Sequence, residues 1–100
     1  MAEDQPLFDW NQTNRDHIAR HDVSSEEVEQ AILDPHALFL EIETRSGEER
    51  TESLGITASG RVLVVVSTFT GRAIRPITAY KADTRQERLY FEQRHLWSEK

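Results

Sequence analysis

Apolar and polar positions change rhythm twice along this chain, from a helical period to an alternating one and back. Asn11 can cap a helix over roughly 12–21, with Ile18 facing the core, and "HDV" breaks it. In "SSEE", Ser24 and Glu27 stand at the two positions of a capping box. Val23 and Val28 fall at hydrophobic-staple positions, and Val28, Ala31 and Ile32 form an i, i+3, i+4 face. "LDP" closes this second helix, because the residue before a proline resists helical angles. From Leu38 the pattern alternates. "ALFLEIET", "RTESLGIT", "RVLVVVSTF" and "AIRPITAYK" read as strands, joined by turns at "RSGEE", "ASG" and "TGR". "LFDW" near the start reads as a short extended lead-in. A last helix begins at "TRQE", with Thr84 as cap and Glu87 three residues on, presents Leu89 and Tyr90 inward, and runs to about Arg94. The closing "HLWSEK" is a frayed end or a partner contact, Trp97 being its candidate contact residue.

The order is therefore two helices, four strands and one helix. Short connections make the sheet mainly antiparallel, and the fold class is α+β in a single domain spanning 1–100. The unbroken "VLVVV" marks a central strand buried on both faces. Pro76 has no amide to donate, so its strand lies at an edge or is bulged there.

Composition narrows the chemistry. With no cysteine, disulfides, thiolate metal sites and cysteine nucleophiles are excluded. "MAEDQPLFDW" does not read as a signal peptide, and "VLVVV" is far too short to span a membrane, so a cytoplasmic protein is expected. The net charge of -6 hides a split: residues 1–60 carry -10 and residues 61–100 carry +4. A basic second half can attract an anion such as RNA even in an acidic protein.

His17 and His21 stand one helical turn apart, the spacing of a metal-binding pair. No glutamate follows the first, and no strong third ligand appears, so no metal site is assigned. His21 can instead bond helix-end carbonyls, or serve as acid or base near an RNA phosphate, since histidine titrates near neutrality. Arg50, Arg61, Arg72 and Arg75 sit on adjacent expected strands or their turns. Guanidinium groups can stabilise the phosphorane of RNA cleavage without a divalent ion. Arg75 stands out, because on a regular strand it shares a face with Ile77 and Ala79. Its alternative is an ion pair with Glu52 or Glu41. Tyr80 can stack a base or act as an amphipathic edge residue. There is no Gly-rich phosphate loop, Ser/His/Asp signature or dinucleotide fingerprint, and no cofactor is expected.

"FDWNQTNRDHIARHDVSSEEVEQAILDP", "GEERTESLG", "GRVLVVVSTFTGRAIRPITAYKA" and "TRQERLYFE" occur in one order. This set resembles the BrnT-like ribonuclease toxins of bacterial type II toxin–antitoxin systems, over about residues 8–92. The resemblance implies a RelE-like fold and RNA cleavage without a metal. It also implies an antitoxin resembling BrnA, whose ribbon-helix-helix region contacts operator DNA, so that the toxin meets DNA only through its partner in a hetero-oligomer. The family's histidine falls on His21, with Asp22 where the pattern has glycine. Its arginines fall on Arg50 of "GEER" and Arg75 of "IRPITAY". Tyr80 stands where a second strand arginine belongs, with Lys81 next to it as a substitute. The final helix matches at Thr84, Arg85, Glu87, Arg88 and Tyr90.

Combining the residues with the resemblance, the catalytic candidates are His21, Arg50, Arg75 and Lys81. Arg61, Arg72, Tyr80, Arg85 and Arg88 are candidates for holding RNA. Three readings stay open: a metal-independent endoribonuclease that inhibits translation, a catalytically weakened module acting with an antitoxin as co-repressor, and a structural interaction domain. On the first two, an acidic antitoxin segment is expected over the surface from Arg61 to Arg75, competing there with RNA.

Overall fold

The computed structural model describes residues 6–98, with side chains described as far as His95. Among these residues the chain forms β1 (Leu7–Phe8), α1 (Gln12–Ala19), α2 (Ser25–Leu33), β2 (Leu38–Arg45), β3 (Glu48–Ile56), β4 (Val62–Phe69), β5 (Ala73–Lys81) and α3 (Thr84–Ser98). The sheet runs β1-β5-β4-β3-β2, antiparallel throughout except for the parallel pair β1–β5. The α+β class holds, with five described strands where four were expected. The lead-in "LFDW" supplies the extra one: Leu7 and Phe8 pair with Ala73 and Ile74. Two residues are too few to show an alternation, so only the pairing reveals the strand.

Helices lie on both faces of the sheet. On the front, Ile18, Val23, Val28 and Ala31 pack against Leu63, Val65 and Ala79. On the back, Tyr90 packs with Leu54, Val62, Val64 and Ala82. Val62, Leu63, Val64 and Val65 are all fully or almost fully buried, because β4 is central and both its faces are covered. Three side-chain and backbone bonds from Asp34 tie the layers together: it accepts from the amides of His36 and Ile56 and from the Tyr90 hydroxyl. Burial, reinforced by Asp34, pushes the Tyr90 phenol up to about 12, so it stays neutral and donating.

The helix starts follow local chemistry. Asn11 and Asn14 form one capping box, and Ser24 and Glu27 another. At α3 the cap is Asp83, one residue before the expected Thr84. Its carboxylate accepts from the Gln86 amide at 2.8 Å, and Gln86 accepts in return from the Asp83 amide at 2.9 Å. Aspartate caps as well as threonine does, and the one-residue shift turns Tyr90 to the core while Leu89 stays 39% exposed. The helix also passes Arg94 and reaches Ser98. The side chain of Trp97 lies outside the described residues.

The first helix ends sooner than expected, at Ala19. The Asp22 and Val23 amides donate back to the carbonyls of Ala19 and Ile18, with Asp22 in the left-handed region at φ 58°. A residue without Cβ suits that position best. Asp22→Gly is therefore expected to raise stability by about 1 kcal/mol, read as a higher denaturation midpoint at unchanged slope. Among the described residues, no helix is long and apolar enough to cross a membrane.

Candidate functional site

Pro76 decides the shape of β5. Beyond Ala73 and Ile74, which pair with β1, the outer edge of β5 faces α1 rather than another strand. The ladder to β4 slips there: Val66 faces Thr78, but Ser67 faces Pro76, so Ile77 is an extra residue. The freed carbonyls are taken up by α1. Buried Asn14 donates its Nδ2 to Pro76 O at 2.9 Å and to Asp9 O at 3.0 Å. His17 Nδ1 lies 3.2 Å from Ile77 O, where its protonated form donates. His17 thus closes a bulge, while His21, past the end of α1, is exposed and sets its ring 5.8 Å from that of Tyr80.

The bulge also turns Arg75 over. On a regular strand Arg75 shares the face of Ala79; with one residue inserted, it pairs with Thr68 and points to the back face, as Tyr80 does opposite Val64. Alternation along β3 places Glu48, Arg50 and Glu52 on that same back face, with Leu54. The result is a clamp. Arg75 Nη2 meets Glu48 Oε2 at 2.6 Å, and Arg50 Nε meets Glu48 Oε1 at 3.4 Å. All three side chains are half-buried. The partner of Arg75 is therefore neither Glu52 nor Glu41. Glu48 was not singled out from the sequence, although "GEER" contains the signal: Glu48 and Arg50 are two apart and share a strand face.

The remaining candidates are dispersed. Thr68 and Val64, opposite Arg75 and Tyr80, are four residues apart on β4, so those two side chains stand about 13 Å from each other along the sheet. Burial, together with Glu52 and Asp83, raises the Tyr80 phenol above its ordinary value. Lys81 turns to α3 and pairs with Glu87 at 3.3 Å. Arg61 is at the far end of β4, where it bonds Glu27 at 2.8 Å and the Asp22 carbonyl at 3.1 Å. Burial opposes the Glu27 charge, but the Ser24 amide and Arg61 outweigh it and hold that carboxyl below its ordinary value. Arg72 is exposed in the β4–β5 turn. Arg85 and Arg88 line a shallow opening beside Leu40, where α3 crosses the back of the sheet. No continuous Arg61–Arg72–Arg75 surface exists, because the three occupy a front-side ion pair, a turn and the back face.

Among the described residues, no group of three or more His, Asp or Glu is gathered to hold a metal ion. The back face instead offers two guanidinium groups converging on one carboxylate, an arrangement that also suits a phosphate. No curated protein matches the chain. Residues 10–87 match the family described as the ribonuclease toxin BrnT of type II toxin–antitoxin systems. That span contains Arg50, Arg75 and Glu48, and by it the chain belongs to the BrnT ribonuclease toxin family.

Proposed function

We propose that this protein cuts RNA by metal-independent transesterification, with the scissile phosphate seated between Arg50 and Arg75. The observation that carries the reading is the convergence of both guanidiniums on the Glu48 carboxylate. A phosphate oxygen replaces a Glu48 oxygen in the same seat, and planar guanidiniums bind either in two-point fashion. The 2′-oxygen attacks phosphorus, the bond to the 5′-oxygen breaks, and a 2′,3′-cyclic phosphate and a 5′-hydroxyl result. Arg50 and Arg75 stabilise the charge that grows on the phosphorane oxygens. Glu48, displaced but adjacent, accepts the 2′-hydroxyl proton. The proton for the leaving oxygen comes from solvent, because the site is open and Lys81 is turned away to Glu87.

His21 and Tyr80 take a different role from the one expected for the histidine. Their rings sit together about 13 Å along the sheet from Arg75, where a neighbouring base of the bound strand can stack. Arg85 and Arg88 hold the backbone as it passes α3. The antitoxin partner follows from the family; contact with operator DNA through that partner belongs to the proposal.

Cleavage is expected to persist in excess EDTA, at the same rate as in untreated protein. Loss of cleavage that a divalent ion restores would end the metal-free mechanism. One observation favours the alternative of a weakened co-repressor module: Glu48 already occupies the seat between the two arginines in the free protein. Expression without the antitoxin separates the two readings, since the enzyme arrests growth and the module does not.

A further inference from the structure

The helices α1 and α2 cover only half of the front of the sheet. On the other half large apolar side chains stand in solvent: Phe39 is 72% exposed, Phe69 70% and Ile42 63%. A bulge in β2 arranges this. Phe39 faces Ser53 and Ile42 faces Thr51, although residues three apart on a regular strand point to opposite faces. Phe39 forms one wall, and Phe69 with Ile74 the other. Small residues of β3 and β4 floor the space between them, which is a groove of about 730 Å³. Leu33, the last residue of α2, closes one end.

We infer that this groove seats an amphipathic α-helix of the antitoxin, with basic residues flanking its apolar stripe. The inference rests on the family membership, which supplies the antitoxin, and adds the surface it takes. Three features select this occupant. The walls stand on β2 and β4, two strand spacings or roughly 10 Å apart, close to the diameter of a helix with side chains. A helix there lies beside α2 and completes the front layer, as helices cover sheets generally. Among the described residues Glu48 and Glu49 line the groove and no lysine or arginine does, so a complementary helix is basic. This replaces the expected acidic segment over Arg61–Arg75. Phe39 and Phe69 point to the front and Arg50 and Arg75 to the back, so substitutions at those two pairs separate, although Glu48 of the clamp also lines the groove.

The test is titration calorimetry with the protein encoded by the adjacent reading frame. Phe39→Ser with Phe69→Ser is expected to weaken binding at least 100-fold, leaving RNA cleavage by the free chain unchanged. Arg50→Ala is expected to abolish cleavage while leaving that affinity within threefold. Hydrogen exchange on the wild-type complex reads the same surface without substitution, and protection is expected at residues 39–42 and 67–69. Unchanged affinity in the folded double variant, or no protection at those positions, overturns the inference. So does a dimer of the chain by itself that Phe69→Ser dissolves, because the occupant is then a second copy. Failure of the ribonuclease reading shows separately, as a wild-type chain that neither cleaves RNA nor arrests growth.

Discussion

Arg75→Ala is expected to lower RNA cleavage by about 10²–10³-fold with the chain still folded, the loss usual for one preorganised charge-stabilising donor. The side chain is half-buried on the back face and its described ion-pair partner is Glu48. Removing it therefore leaves no buried charge without a partner, since Glu48 keeps Arg50 and access to water. Arg72→Ala, in the exposed turn, is the control and should leave the rate unchanged. Glu48→Gln then separates two roles for the carboxylate. As a base, its loss lowers the rate and removes the limb of the pH–rate profile where the acid becomes carboxylate. As a mere occupant of the phosphate seat, its loss tightens RNA binding and leaves the rate intact. A folded Arg75→Ala variant that cuts at the wild-type rate would mean the clamp is structural.

Gly55→Ala is expected to be the most destabilising single-methyl change, at about 3 kcal/mol or more, the upper end for overpacking. The backbone of α2 presses directly onto β3 there: a Cβ on Gly55 would lie 2.0 Å from the Ala31 carbonyl oxygen and 2.7 Å from its carbonyl carbon. No side chain can swing aside, so the helix or the strand must move. The floor beneath α2 includes Leu63 and Val65, and lifting the helix opens that core. A denaturation midpoint close to wild type would show that α2 shifts freely on the sheet. Gly47→Ala, at a turn with open space around it, is strained only by its φ of 78° and should cost less.

Much of the architecture is local and so was legible in the chain. The cap at Asn11 and the capping box at Ser24 act within four residues, and the alternation from Leu38 onward declares strands because each residue sees its own two faces. The unbroken run at Val62–Val65 placed the central strand, since it left no polar face for water. Arg75 was marked by charge in apolar surroundings and by the resemblance, Arg50 by the resemblance. What the chain could not declare depends on pairing between distant segments. The parallel pairing of Leu7 and Phe8 needs β5. The register slip at Ile77 turns Arg75 to the face of Glu48, and the slip in β2 sets Ile42 beside Phe39. Pro76 marked β5 for an edge or a bulge, but which residue is extra is counted against a partner strand, and β2 carries no such mark. Arg61 shows the same limit in reverse, its charge being taken by Glu27 thirty-four residues earlier. The sequence determined which segments fold and which residues have the chemistry; the sheet's pairing decided which of those residues meet, because one inserted residue exchanges the faces of everything beyond it.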